Sequence, residues 1–89
     1  SGPAIKGIGL RCVYELYEEV DIPIVGVGGI ESTRDALEYM MAGAVAVQIG
    51  SGVGRRGLGV FREVTHGMVD YLEKNGMTSI SEIVGVAHE

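Results

Sequence analysis

Ile22-Pro23-Ile24-Val25-Gly26-Val27 is a short, β-branched run, and Gly28-Gly29 closes it. It is apolar throughout, the pattern of a strand buried on both faces in a parallel sheet. A second such run, Ala44-Val45-Ala46-Val47-Gln48-Ile49, ends in Gly50-Ser51. Between them the spacing predicts a helix. Ser32 is a good N-cap, and Asp35 falls in the first turn, near the positive end of the helix dipole. Ala36, Leu37, Met40 and Met41 form its buried stripe, and Gly43 suits the C′ position.

The flanks read as helices too. Over 7–20, Leu10, Val13, Leu16, Tyr17 and Val20 recur at helical spacing, with Glu15, Glu18 and Glu19 largely off the stripe. After a loop at 51–59 that holds four glycines and two arginines, Val60, Phe61, Val64, Met68, Tyr71 and Leu72 mark a longer helix that Gly76 ends. A last helical turn is expected at 79–84.

Strands alternating with helices mean a parallel sheet with right-handed crossovers. Two strands cannot close an α/β core. The chain therefore reads as part of a larger sheet, or as a module that pairs with copies of itself.

Composition narrows the function classes. The 89 residues carry a net charge of -5, 46% hydrophobic and 21% charged residues. That is a soluble, globular balance, and its acidity argues against a nucleic-acid partner. No apolar run reaches the roughly 18 residues of a membrane span, and Ser1-Gly2-Pro3 does not open a signal peptide. One cysteine excludes an internal disulfide framework and fits a reducing cytoplasm.

The chemistry is expected where the strands end. Gly28-Gly29 and Gly50-Ser51 lie at the C-terminal ends of consecutive parallel strands, the edge where α/β folds bind ligands. Glycine lets a phosphate approach the backbone closely, adjacent N–H groups converge on its oxygens, and the helix that follows each site favours the same anion. The alternative is that these glycines only relieve crowding in tight strand-to-helix turns.

Three stretches carry a family resemblance: Ser1-Gly2-Pro3-Ala4-Ile5-Lys6, Gly26-Val27-Gly28-Gly29-Ile30 and Gln48-Ile49-Gly50-Ser51. Together with the ending, Asp70-Tyr71-Leu72-Glu73-Lys74-Asn75-Gly76 and Ser79-Ile80-Ser81-Glu82-Ile83-Val84-Gly85, they resemble the C-terminal end of class 1 dihydroorotate dehydrogenase, most closely its B-type flavoprotein. The resemblance implies an α/β fold, with 1–89 a partial TIM-barrel domain: βα units seven and eight, about the last quarter, of a (β/α)8 barrel. It implies FMN as cofactor, its phosphate held by backbone groups at Gly2, Gly28, Gly29, Gly50 and Ser51. The activity implied is oxidation of dihydroorotate to orotate in pyrimidine biosynthesis. In that family a general base takes one proton, FMN takes the hydride, and a partner subunit with FAD and an iron–sulfur cluster passes electrons to NAD. A homo-oligomer is also expected.

The family's base, a cysteine, lies on a loop that precedes the part matched here. Its substrate-holding asparagines and flavin-side lysine precede it too. No catalytic residue is therefore assigned, and the chain alone is expected to be inactive. Cys12 falls within the first helix and reads as a structural, half-buried thiol. Lys6 is followed by Gly7 where the family commonly has proline.

Other patterns carry less. Gly52-Val53-Gly54-Arg55-Arg56-Gly57 fits G-x-G-x-x-G, but a helix occupies the stretch where a dinucleotide site needs its acidic residue. Arg55 and Arg56 read as a solvated loop. His66 falls opposite its helix's apolar stripe and His88 at a frayed C-terminus. No metal site is expected, since neither has ligand spacing to a second donor. Two other readings remain: a different phosphate-binding barrel enzyme, and a non-enzymatic βαβα module that self-associates.

Overall fold

A computed structural model describes residues 5–50 and 57–89. The order is α1 (Lys6–Glu19), β1 (Val25–Val27), α2 (Thr33–Ala42), β2 (Ala46–Gln48) and α3 (Gly59–Lys74), then two 3-10 turns, Ile80–Glu82 and Val86–His88. The described strands pair in parallel, with Val25 opposite Ala46, Gly26 opposite Val47 and Val27 opposite Gln48. Both strands are shorter than the apolar runs that announce them. Pro23 has no N–H for a ladder, and pairing begins with Val45 N donating to Ile24 O at 2.8 Å.

Helix α2 is delimited by local chemistry. The Ser32 side chain accepts from Asp35 N at 3.2 Å, and Asp35 Oδ2 accepts from Glu31 N at 2.9 Å. Gly43 ends the helix with φ +132°, a conformation that side chains rarely adopt. α1 has no side-chain cap, and Lys6 occupies its first turn. A cation there opposes the helix dipole, and two carboxylates of α2 compensate it, as described below. The 3-10 turn after α3 carries a capping box: Ser79 caps Ser81 N, and Glu82 Oε2 accepts from Thr78 N at 2.7 Å and Ser79 N at 3.1 Å.

The helices cover one face of the sheet. Val13, Ile30, Ala36, Tyr39, Met40, Ala42, Ala44, Val60, Val64, Met68 and Ile83 form one buried cluster. The other face is bare: Val25 is 48% and Val27 54% exposed, and Ala46 and Gln48 beside them are exposed. The runs are apolar on both faces, yet the described residues supply cover for one. The expected stripe of α1 is likewise only partly used. Val13 is buried, whereas Leu16 is 47% and Tyr17 38% exposed. Cys12 is exposed rather than half-buried. Among the described residues no helix is long and apolar enough to cross a membrane.

Candidate functional site

The register brings the two glycine sites to one edge. Gly28 follows Val27 at the end of β1, and Gly50 lies two residues past Gln48, the partner of Val27. Gly28 and Gly29 both have positive φ, +125° and +69°. Glycine is the residue that takes such φ values without strain, and a tight turn at the end of a strand lets an anion approach successive backbone N–H groups closely. Among the described residues, a Cβ built on Gly50 meets nothing within 4 Å. These features fit a phosphate. Gly2 and Ser51, with Arg55, Arg56 and most of the Gly52 to Gly57 motif, lie outside the described residues.

The helix after each site contributes unequally. At α2, Glu31 N and Asp35 N are already taken by Asp35 and Ser32, so a carboxylate of the chain itself answers part of the dipole. α3 begins with no side-chain cap and no acidic residue in its first turn.

Beneath the Gly28 turn lies a feature that helix periodicity did not single out. Tyr39 is completely buried. Its hydroxyl donates to Gly28 O at 2.7 Å, with Val27 O at 3.3 Å. Burial is the main cause that raises its pKa above the ordinary 10.0, with Cys12 and Asp35 adding and Lys6 opposing. The phenol therefore keeps its hydrogen and acts as a donor. The ring occupies a socket built from missing side chains. A Cβ on Gly9 of α1 or on Gly26 of β1 would run into Tyr39, and one on Gly28 would lie 3.3 Å from its hydroxyl. Burying such a side chain stabilises by about 1.5–3 kcal/mol, and the hydroxyl bond adds about 1 kcal/mol net. The packing therefore sets the stability, and the hydroxyl sets the position of the Gly28 carbonyl.

Lys6 closes the same corner. Its Nζ lies 2.7 Å from Asp35 Oδ1 and 2.7 Å from Glu38 Oε1, so the start of α1 is clasped to the start of α2. Hydrogen bonds to Asp35 and then Glu38 raise the Lys6 pKa above 10.5 against the effect of burial. For Asp35 burial is the largest single influence and raises the pKa. The bonds from Lys6, Glu31 N and Ser32, with the charge of Lys6, act against it, and the carboxyl is held below 3.8.

The signs fix a pH window. Asp35 contributes fully above pH 3.8, and its contribution fades as pH falls through its lowered folded value. Lys6 contributes fully below pH 10.5, and its contribution fades as pH rises through its raised folded value. Lys6→Met should therefore cost on the order of 1 kcal/mol at neutral pH. Melting curves of the two proteins should differ by a constant amount inside that window and converge at both extremes. A difference that varies across the neutral range would remove the clasp as its cause.

The C-terminus is not frayed as expected. The side chain of His88 is only 9% exposed. Its Nε2–H donates to Ala42 O at 2.7 Å, and Nδ1 lies 3.2 Å from Glu18 Oε2. The ring stacks on Tyr14 (centroids 3.9 Å apart) and Tyr17 (4.5 Å). His66 is exposed on α3. Among the described residues, no three His, Cys, Asp or Glu side chains are grouped to hold a metal ion.

Parallel strands with helices on one face, a second face that the described residues leave uncovered and glycine turns at the C-terminal edge fit a segment of a parallel α/β barrel. Val25, Val27, Ala46 and Gln48 are its inward-facing positions. A family model described as dihydroorotate dehydrogenase matches residues 1–72, and the chain belongs to that family. It is 56% identical over 89 residues to the dihydroorotate dehydrogenase B (NAD(+)), catalytic subunit, of Methanocaldococcus jannaschii, covering 100% of this chain and 29% of that protein. It is 52% identical to the protein of the same description from Pyrococcus furiosus, covering 100% of this chain and 30% of that one. The crystal structure of ligand-free DHODH from Eimeria tenella matches it with a TM-score of 0.92 at 30% identity, covering 100% of this chain and 25% of that one. The chain thus spans about 29% of the length of the curated relatives it matches. A flavin cofactor goes with the family in general. The relatives' description as a catalytic subunit implies a further subunit in those proteins.

Proposed function

We propose that this chain is βα units seven and eight of an FMN-dependent dihydroorotate dehydrogenase barrel, and that it supplies the cradle for the FMN phosphate. The observation that carries the reading is the shared edge. Consecutive parallel strands end in glycine, and one of them leaves through paired left-handed residues at Gly28 and Gly29. The backbone at these two and at Gly50 would hold phosphate oxygens, and Gly2 and Ser51 complete the set by family resemblance.

The whole protein would oxidise dihydroorotate to orotate in pyrimidine biosynthesis, in the cytoplasm. FMN, when bound, supplies the hydride acceptor. This chain binds and orients, while the proton acceptor belongs to the part of the barrel that precedes it. An FAD and iron–sulfur subunit would carry the electrons onward to NAD, in keeping with the catalytic-subunit description of the relatives. The dehydrogenase itself is expected to be a homo-oligomer.

The test is a paired titration of the full-length apoprotein with FMN and with riboflavin, which lacks the phosphate, followed by anaerobic addition of dihydroorotate. FMN should bind far more tightly than riboflavin, and dihydroorotate should bleach the flavin absorbance. Equal affinity for both would remove the phosphate cradle. A flavin that dihydroorotate leaves oxidised would point to another phosphate-binding barrel enzyme.

A further inference from the structure

We infer that Tyr39 is a positioning residue for the cofactor phosphate: its buried hydroxyl holds the Gly28 carbonyl and so fixes the direction of the Gly29 N–H in the same peptide. The inference rests on the phosphate-cradle reading and deepens it. Each peptide unit is planar, so pinning the Gly28 carbonyl pins the plane of the peptide that ends in Gly29 N–H. A pair of glycines is otherwise the freest turn a chain can make. Here its freedom is removed from behind, by a side chain that touches no ligand.

The placement is specific. The hydroxyl lies 2.7 Å from Gly28 O. The ring lies directly against Gly9 on α1 and Gly26 on β1, where any side chain would run into it. Tyr39 therefore ties three pieces together at one point: the first helix, the first strand and the turn after it. A phenylalanine would fill the same socket as well. The hydroxyl is needed only to hold a carbonyl, and the carbonyl it holds belongs to the proposed cradle.

Tyr39→Phe in the full-length protein is the test, with FMN and riboflavin titrated side by side. The ring stays in its socket, so thermal melting should move little. FMN affinity should fall about fivefold, the worth of one ordinary hydrogen bond, while riboflavin affinity is unchanged. The ratio of the two is a readout that general loosening would not move selectively. Tyr39→Leu, which removes the ring as well, should lower the ratio at least as far.

The outcomes separate the two claims. A wild-type protein that does not prefer FMN over riboflavin would sink the cradle itself. A wild-type protein that prefers FMN, with the same preference kept in Tyr39→Phe, would overturn only the role of Tyr39. Equal losses for both flavins would also overturn it, because they would show a structural effect with no bearing on the phosphate.

Discussion

If the proposed cradle holds FMN, Gly28→Ala is expected to abolish most of that binding while Gly50→Ala leaves the fold intact. At Gly28 the backbone has φ +125°, where a side chain is strained whatever space surrounds it. Holding a residue in so sparsely populated a region costs about 1–3 kcal/mol, and each 1.4 kcal/mol is about a factor of ten in population. The added Cβ would also lie 3.3 Å from the Tyr39 hydroxyl and 3.5 Å from Ile5 Cγ1. The buried phenol has little room to give. The turn relaxes by rotating its peptides, and the N–H groups after it no longer converge.

Gly50 is the internal control. It has no positive φ and, among the described residues, nothing within 4 Å of a built Cβ, so alanine there should leave melting nearly unchanged. Its effect on FMN reports only whether the phosphate approaches that α-carbon. Flavin content per protein and thermal melting separate the two variants. Gly28→Ala with full flavin content would show that the turn tolerates a Cβ and that its left-handed geometry is not what the cofactor needs.

The parts of the fold legible in the sequence are those set by near neighbours. Ser32 and Gly43 bracket α2 because capping is chemistry within one turn, and both perform those roles. The strands announce themselves by apolar runs, and the glycines after them mark the edge. Tyr39 was not legible as a peg. Its role depends on the lack of side chains at Gly9 and Gly26, which periodicity within α2 cannot register. A large aromatic one turn before a C-terminal glycine, on the same face as Ala36 and Met40, was the only available signal.

His88 was missed for the same reason. Its partners Tyr14, Tyr17, Glu18 and Ala42 are 46 or more positions away. The runs 22–27 and 44–49 promised cover on both faces because hydrophobicity records what a strand meets in its complete sheet, and the described residues provide one layer of it.

That C-terminal dock is where the second large effect is expected. Gly43→Ala should detach it. Gly43 has φ +132°, and a Cβ there would run directly into the Tyr17 ring and lie 2.6 Å from the Tyr17 Cβ. Backbone strain and overpacking each cost about 1–3 kcal/mol, so the substitution should destabilise by roughly 3 kcal/mol, since neighbouring effects do not simply add. Tyr17 must move, and it is flanked on its other side by Gly85 and stacked on His88. Displacing it also disturbs the bonds that seat the tail on the end of α2, Gly85 N to Met40 O at 3.0 Å and His88 to Ala42 O.

His88→Ala removes the stacking on Tyr14 and Tyr17, the bond to Ala42 O and the exposed contact with Glu18, leaves the backbone of Gly43 unstrained, and should cost about 1–2 kcal/mol. Hydrogen exchange of the Gly85 amide in the full-length protein should accelerate strongly in Gly43→Ala and modestly in His88→Ala. The cause is checked by a double mutant. With Tyr17→Ala in place the obstructing ring is gone, and Gly43→Ala should then cost only its backbone share. If it costs as much without Tyr17 as with it, the left-handed geometry of Gly43 alone, and not the ring packed against it, holds the end of α2 to the C-terminal turn.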